Sequence, residues 1–172
     1  MIYLKFFVLY SLFGFTFESF VFKMSKENKH SGVLYGPYTI VYGIGGTMSI
    51  ILNNFLNIIN NKYLNIFLCY ILFLITCTLI EFLAGHIIHF LLNIDSWDYS
   101  SHKYHFGKYI CLDYAFIWGL MALIFAKLLN PFFHDVLLLV PNYINITCLS
   151  IIILDFIITL LNKKKSINKY RF

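Results

Sequence analysis

Five long apolar stretches, separated by short polar segments, run through most of the chain. They fall at about residues 2–22, 38–59, 66–92, 110–129 and 144–162. A helix needs about 20 consecutive, mostly apolar residues to cross the hydrocarbon layer of a bilayer. Each stretch comes close to that length, so the pattern predicts about five transmembrane helices and an all-α, polytopic integral membrane protein.

Residues 131–141 form a further apolar segment that is too short to span a bilayer. Proline occupies both of its ends, and proline lacks the N–H group that a helix interior requires. We therefore expect a short interfacial or re-entrant segment, with a kinked extension of the fifth helix at Pro141 as the alternative. The predicted organisation is one transmembrane domain over residues 1–162 and a basic cytoplasmic tail over residues 163–172.

The composition narrows the class of protein. Hydrophobic residues make up 60% of the 172 residues, charged residues only 12%, and the mean hydropathy is +0.76. Soluble domains are about 45–50% apolar and about 25% charged. This excludes a water-soluble enzyme, a disordered tail and a disulfide-rich secreted module, and it makes the lipid bilayer, and not nucleic acid, the expected partner.

Basic residues are divided unevenly between the two predicted faces of the membrane. With the C-terminus inside, ten lie on the inner side and three on the outer side. Because cytoplasmic loops carry the excess of Lys and Arg, we predict a plasma-membrane protein with its N-terminus outside and its C-terminus in the cytoplasm. The inner residues are Lys23, Lys26, Lys29, Lys103, Lys108, Lys163, Lys164, Lys165, Lys169 and Arg171, and the outer ones are Lys5, Lys62 and Lys127.

Four acidic residues fall inside predicted spans, where a charge costs about 2.5–3.5 kcal/mol on insertion scales. They are Glu18, Glu81, Asp113 and Asp155. All four lie in the inner halves of their spans, so we expect them at one depth. They then either line a hydrated site for a cation or for protons, or bond to backbone groups and tyrosines near the interface. Asp113, closest to the loop, best fits a helix-capping role.

Histidines lie near the inner end of the third span and in the loop that follows it. Glu81, Gly85 and His89 lie on one helical stripe because they are four residues apart. Two pairs have HxxH spacing, namely His86 with His89 and His102 with His105. Together with Glu81 or Asp98 they could suggest a metal site, but histidine also suits membrane interfaces, and we predict no metal site and no cofactor.

A glycine-rich stretch leads into the second span. Pro37 suits the first turn of a helix, whose free N–H groups could hold a carboxylate or an anionic ligand together with Gly36. Tyr42 and Gly43 follow in the same stretch. Gly43 and the next glycines either let another helix approach closely or let this helix break and line a cavity.

The loop between the third and fourth spans carries Trp97, Asp98, Tyr99 and Ser100. Trp and Tyr at this position are typical of the aromatic belt at a membrane interface. An acid among them, facing the acidic residues of the spans, also indicates a gate or lid. Both interpretations remain open from the residues alone.

These motifs, taken in order, resemble the ABC-transporter type IV family of CmpB-like permeases over nearly the whole chain. The resemblance implies a membrane permease that works with a separate ATPase subunit, because these 172 residues contain no GxxxxGK[ST] phosphate loop. The residues that carry it are Ser11-Leu12-Phe13-Gly14 with Glu18, Gly36-Pro37 with Tyr42-Gly43, Glu81 with Gly85, Trp97-Asp98-Tyr99-Ser100, Ile110-Cys111-Leu112 with Trp118-Gly119, and Asp155-Phe156.

The leading functional hypothesis is a permease component whose intramembrane acids bind a cation, a proton or an amine-bearing solute on the cytoplasmic side. A homo-oligomer is expected, because five helices enclose a limited pathway. The first alternative is an intramembrane enzyme with paired carboxylates acting on a lipid. The second is a regulatory or assembly protein whose acids are satisfied internally.

Overall fold

The structure, a computed structural model, describes residues 1–24 and 32–162, and these are mostly helical. The elements are α1 (Ile2–Met24), α2 (Ile40–Leu56), α3 (Lys62–Leu92), β1 (His105–Phe106), β2 (Ile110–Cys111), α4 (Leu112–Ile124), α5 (Asn130–Leu139) and α6 (Asn142–Leu161). The two short strands form an antiparallel hairpin. The predicted all-α class is confirmed.

Within the described ranges, four helical stretches are long and apolar enough to cross a bilayer, namely α1, α3, Leu112–Leu139 and α6. The fifth, α2, has 17 residues and would extend about 26 Å at 1.5 Å per residue, near the lower limit for a span. Large apolar side chains cover the outside of the bundle; examples are Phe20, Phe67, Phe90, Leu128 and Leu139. A soluble protein rarely exposes such a surface, so the chain is a membrane protein.

The segment expected to be interfacial or re-entrant is instead a continuation of the fourth span. α4 passes through a π-helical segment, Phe125–Leu129, into α5 without a break. Pro131, which has no N–H to donate, follows directly after this π-helical segment, where the hydrogen-bond register changes. The chain leaves the helix at Val140, which is extended, and α6 starts after Pro141. Pro141 therefore separates α5 and α6.

α1 and α2 pack antiparallel along a seam of glycines. A Cβ atom at Gly43 would collide with the Ser11 side chain, and one at Gly46 would lie 2.7 Å from the Tyr10 ring. α2 is unbroken through these glycines, so they serve close helix approach and do not open the helix. The helix begins at Ile40, three residues after Pro37, which places Pro37 outside the first turn that we predicted.

The two ends of the bundle differ. One end, called here the loop end, is where α1, α3 and α6 finish, α2 and α4 begin, and residues 32–39 and 93–111 connect the helices. At the opposite end, the buried Lys5 ammonium donates hydrogen bonds to the carbonyls of Leu137 (3.0 Å) and Val140 (2.6 Å). The inner cations Lys26, Lys29, Lys163, Lys164, Lys165, Lys169 and Arg171, and with them the predicted tail, lie outside the described residues.

Candidate functional site

Glu81 is a buried carboxylate in the half of α3 nearer the loop end, with only 6% of its surface exposed. The Tyr99 hydroxyl donates a hydrogen bond to its Oε1 atom at 2.7 Å. The indole N–H of Trp118, on α4, donates to its Oε2 atom at 3.1 Å. Both carboxylate oxygens are thus held by neutral donors that come from different segments of the chain.

Glu18 and Tyr42 complete this group. The Tyr42 hydroxyl is hydrogen-bonded to the Glu18 carboxylate, and Glu18 is close enough to Glu81 to repel it electrostatically. The Tyr42 ring meets the Trp118 ring edge-on, with centroids 5.6 Å apart. We call these five residues, Glu18, Tyr42, Glu81, Tyr99 and Trp118, the acid centre.

Aromatic rings surround the acid centre. Tyr99 stacks on Tyr114 with ring centroids 4.7 Å apart, and Tyr114 lies 6.4 Å from Trp118. Burial, and next the Glu81 carboxylate, raises the pKa of the Tyr99 hydroxyl well above its usual range. The hydroxyl therefore stays protonated and acts as a donor. The centre combines negative charge with faces of π-electrons, a combination that favours positively charged groups.

The predicted gate residues have different surroundings. Tyr99 points into the acid centre, and its N–H bonds to the Lys108 carbonyl at 2.8 Å. Asp98 is exposed and accepts hydrogen bonds from the Ser100 hydroxyl (2.5 Å) and N–H (2.8 Å), which lower the pKa of its carboxyl. Trp97 packs edge-on against Tyr109. Asp98 and Ser100 thus shape the turn that presents Tyr99.

His89 does not reach the acid centre, although it lies on the same helical stripe as Glu81. Its Nδ1–H donates to Asp95 at 2.9 Å. Asp95 also accepts bonds from the Tyr109 hydroxyl (2.5 Å) and the Lys108 ammonium (3.0 Å). The Tyr109 bond, and after it those of Lys108 and His89, hold the pKa of Asp95 below its usual value. This network ties the loop to the end of α3.

Asp155 is buried on α6 and is satisfied by the residues that precede α2. Its carboxylate accepts bonds from the Gly36 N–H (2.7 Å), the Tyr35 N–H (3.2 Å) and the Tyr38 hydroxyl (2.5 Å). The Thr159 hydroxyl adds a fourth bond at 3.2 Å. Backbone N–H groups near Pro37 do hold a carboxylate, but it is one of the protein's own and they precede the helix.

Asp113 lies in the first turn of α4 and is exposed. Its carboxylate comes together with the side chains of His102 and Cys111, with one ligand atom of each within 4.8 Å of the others. The HxxH pairs do not assemble in this way: His86 bonds to the Phe82 carbonyl and His105 to the Gly107 carbonyl.

The sequence motifs include Trp118 but predict no role for it. They predict no role for Tyr114 either. A single indole inside a span, four residues after a tyrosine and next to Gly119, was the available signal. Gly119 lets α4 approach α3, since a Cβ there would lie 2.9 Å from the Leu74 side chain. That close approach is what brings Trp118 onto Glu81.

A family model described as "Putative ABC-transporter type IV" matches residues 5–161 of the chain. The match contains every residue of the acid centre and the whole loop between α3 and α4. Searches of curated proteins and of solved structures found no match.

Proposed function

Because the chain belongs to the ABC-transporter type IV family, we propose that it is a membrane-embedded permease component whose acid centre binds a cation. An amine-bearing solute is the favoured ligand, and a proton is the simplest one. The observation that carries the proposal is the surroundings of Glu81. It is a buried carboxylate whose two hydrogen-bond donors among the described residues, Tyr99 and Trp118, are both neutral.

The energetics favour uptake of positive charge at Glu81. Removing a carboxylate from water costs several kcal/mol even after the protein relaxes. Two hydrogen bonds to a charged acceptor return about 1.5–3 kcal/mol each. Glu18 adds a second negative charge nearby. A proton or a cation at the acid centre would offset the part of the desolvation cost and of the negative charge that the two neutral donors do not compensate.

The aromatic rings favour an organic ammonium group over a small hydrated metal ion. Rings of Tyr42, Tyr99, Tyr114 and Trp118 lie around the carboxylates. An ammonium group over such a ring gains about 0.5–1 kcal/mol when exposed and about 2 kcal/mol when desolvated. A small metal ion would have to give up much of its hydration shell to enter, and Mg²⁺ in particular dehydrates reluctantly.

Access to the acid centre requires the loop to move, because Glu81 is closed off from solvent. Tyr99 is the contact through which the loop covers Glu81. We assign Tyr99 the role of gate, presented by Asp98 and Ser100. Asp155 we assign to positioning residues 32–39, since three of its four bonds come from that segment. Asp113 stays outside the acid centre.

We also propose a membrane location, an orientation and partners for the chain. The lysine distribution supports a plasma-membrane location with the C-terminus in the cytoplasm, so the acid centre would face the cytoplasm. Family membership and the lack of a phosphate loop in these 172 residues support a separate ATPase subunit. A second copy of the chain would help to enclose a pathway that five helices form incompletely.

Binding of methylammonium to the purified chain tests the proposal. The Glu81→Gln variant keeps the shape of the side chain and removes its charge, and the Asp135→Asn variant makes the same change at an exposed site near the opposite end. We expect saturable binding to the parent and to Asp135→Asn, and at least tenfold weaker binding to Glu81→Gln. Equal methylammonium binding by all three chains would overturn the amine assignment. Proton release from the parent without any methylammonium binding would overturn it as well. Proton release that is undiminished in Glu81→Gln would overturn the assignment of Glu81 as the site.

A further inference from the structure

His102, Cys111 and Asp113 form a cluster of three different metal-ligating side chains beside the acid centre. Each offers one ligand atom, and these atoms lie within 4.8 Å of one another. The residues come from the loop, from the end of β2 and from the first turn of α4. Ligand atoms around a tetrahedral ion are about 3–4 Å apart, since Zn–S, Zn–N and Zn–O bonds are about 2.0–2.3 Å long. Small side-chain rotations would bring this cluster to that geometry.

The donor set suits zinc. A thiolate, an imidazole nitrogen and a carboxylate oxygen are the three ligand types that Zn²⁺ takes from proteins, whereas Mg²⁺ and Ca²⁺ prefer oxygen alone. One thiolate and one carboxylate also neutralise the two positive charges of the ion. The resulting neutral site is compatible with burial close to a membrane interface.

Local structure prepares the two principal ligands. Cys111 is fully buried and is the N-cap residue of α4, although its side chain makes no capping hydrogen bond. Its sulfur therefore has no capping bond that an ion would displace. The His102 ring is held edge-on against Tyr99 and Tyr114, with centroids 5.7 and 5.4 Å away. The imidazole therefore loses little freedom on binding an ion.

We propose that His102, Cys111 and Asp113 bind one Zn²⁺ ion that fastens the loop between α3 and α4 to the first turn of α4. The fourth position of the ion is left for solvent. His102 packs on Tyr99, and Tyr99 bonds to Glu81, so the ion would restrain the residue that covers the acid centre. The zinc site does not depend on the proposed transport function.

Cobalt substitution provides the test, because a cysteine thiolate bound to Co²⁺ gives a charge-transfer absorption band that other ligands do not. The full chain is purified through a tag without histidine, treated with chelator and titrated with Co²⁺ and then Zn²⁺. The matched control is Cys148→Ser, which removes a half-buried thiol on α6 outside the cluster.

We expect the parent and Cys148→Ser to show the thiolate band with one metal ion per chain, and Cys111→Ser to lose it. His102→Gln and Asp113→Asn should bind Zn²⁺ at least about 100-fold more weakly, since loss of an outer-shell partner alone costs about 10–100-fold. Hydrogen exchange across residues 99–111 should slow when Zn²⁺ is added to the parent.

Two results of the cobalt titration would overturn the zinc site. One is the absence of a thiolate band in the parent, and the other is an undiminished band in Cys111→Ser. If Cys111→Ser fails to fold, as judged by circular dichroism and size exclusion, the exposed Asp113→Asn carries the test, and unchanged Zn²⁺ affinity in that variant rejects the site. Failure of methylammonium binding would leave this result untouched.

Discussion

Replacing Gly43 by alanine should weaken the fold through the contact between α1 and α2. A Cβ atom at this position would collide with the Ser11 hydroxyl oxygen and would lie 2.8 Å from the Phe7 carbonyl oxygen. The Ser11 hydroxyl already donates a hydrogen bond to that same carbonyl at 2.8 Å. The side chain can rotate away only by giving up its bond, and the backbone carbonyl can move only with the whole helix.

The magnitude follows from three contributions. Overpacking a close contact costs about 1–3 kcal/mol, and loss of the Ser11 hydrogen bond costs about 1 kcal/mol. Alanine returns about 0.5–1 kcal/mol through its better helix propensity. We therefore expect Gly43→Ala to lower the free energy of unfolding by about 2 kcal/mol.

Gly45→Ala is the matched control, two residues away on the same helix. Its Cβ atom would meet only the Cys77 sulfur at 3.8 Å, an ordinary van der Waals contact. This variant should be unchanged or more stable by up to about 1 kcal/mol. Unfolding in mixed micelles, followed by tryptophan fluorescence, measures both variants. Equal stabilities of Gly43→Ala and Gly45→Ala would refute the packing of α1 against α2 described above.

Three further predictions concern the ends of the bundle. Asp155→Asn should lower the free energy of unfolding by about 1.5–3 kcal/mol, because the amide nitrogen would face hydrogen-bond donors; an unchanged unfolding curve would contradict this. Lys5→Met should cost about 1–3 kcal/mol by leaving two carbonyls without a donor, whereas the exposed Lys62→Met should be neutral; equal effects would show that the Lys5 bonds contribute nothing. The loop network should be strongest near neutral pH. The pKa of Asp95 is lowered in the folded chain, so the stability it contributes is lost as pH falls through that folded pKa. The pKa values of Lys108 and Tyr109 are raised, that of Tyr109 to about 12, so the stability these two contribute is lost as pH rises through their folded pKa values. The protection factors of residues 95–109, which are exchange rates corrected for the intrinsic pH dependence of amide exchange, should therefore pass through a maximum, and a flat protection profile would contradict the network.

The spans could be predicted from sequence because the bilayer imposes a length and a hydropathy on each helix. The continuation of α4 into α5 could not. Pro131 ordinarily marks a helix boundary, and only the three-dimensional path shows that it falls in the first turn of α5 after a π-helical segment. Nothing in the residues Phe125–Leu129 signals a change of hydrogen-bond register.

The grouping of Glu18 with Glu81 could be expected because both lie in the halves of their helices nearer the loop end, although Glu81 is farther from the end of α3 than Glu18 is from the end of α1. Their actual partners could not be predicted, because hydrogen bonds such as Tyr99 to Glu81 and Gly36 to Asp155 depend on how loops return to the bundle. For the same reason Asp155, which looked equivalent to Glu81 by depth, has a different environment. Depth in a membrane follows from sequence position, whereas the face of a helix that meets a neighbour depends on packing.

Infrared difference spectroscopy of carboxyl groups on addition of methylammonium examines the role of Glu81 most directly. In the parent chain we expect a carboxyl band to change when methylammonium is added, to persist in Asp155→Asn and to vanish in Glu81→Gln. A band that responds equally in Glu81→Gln, or a parent chain whose carboxyl bands do not respond while methylammonium is shown to bind, would contradict the assignment of the acid centre as the cation site.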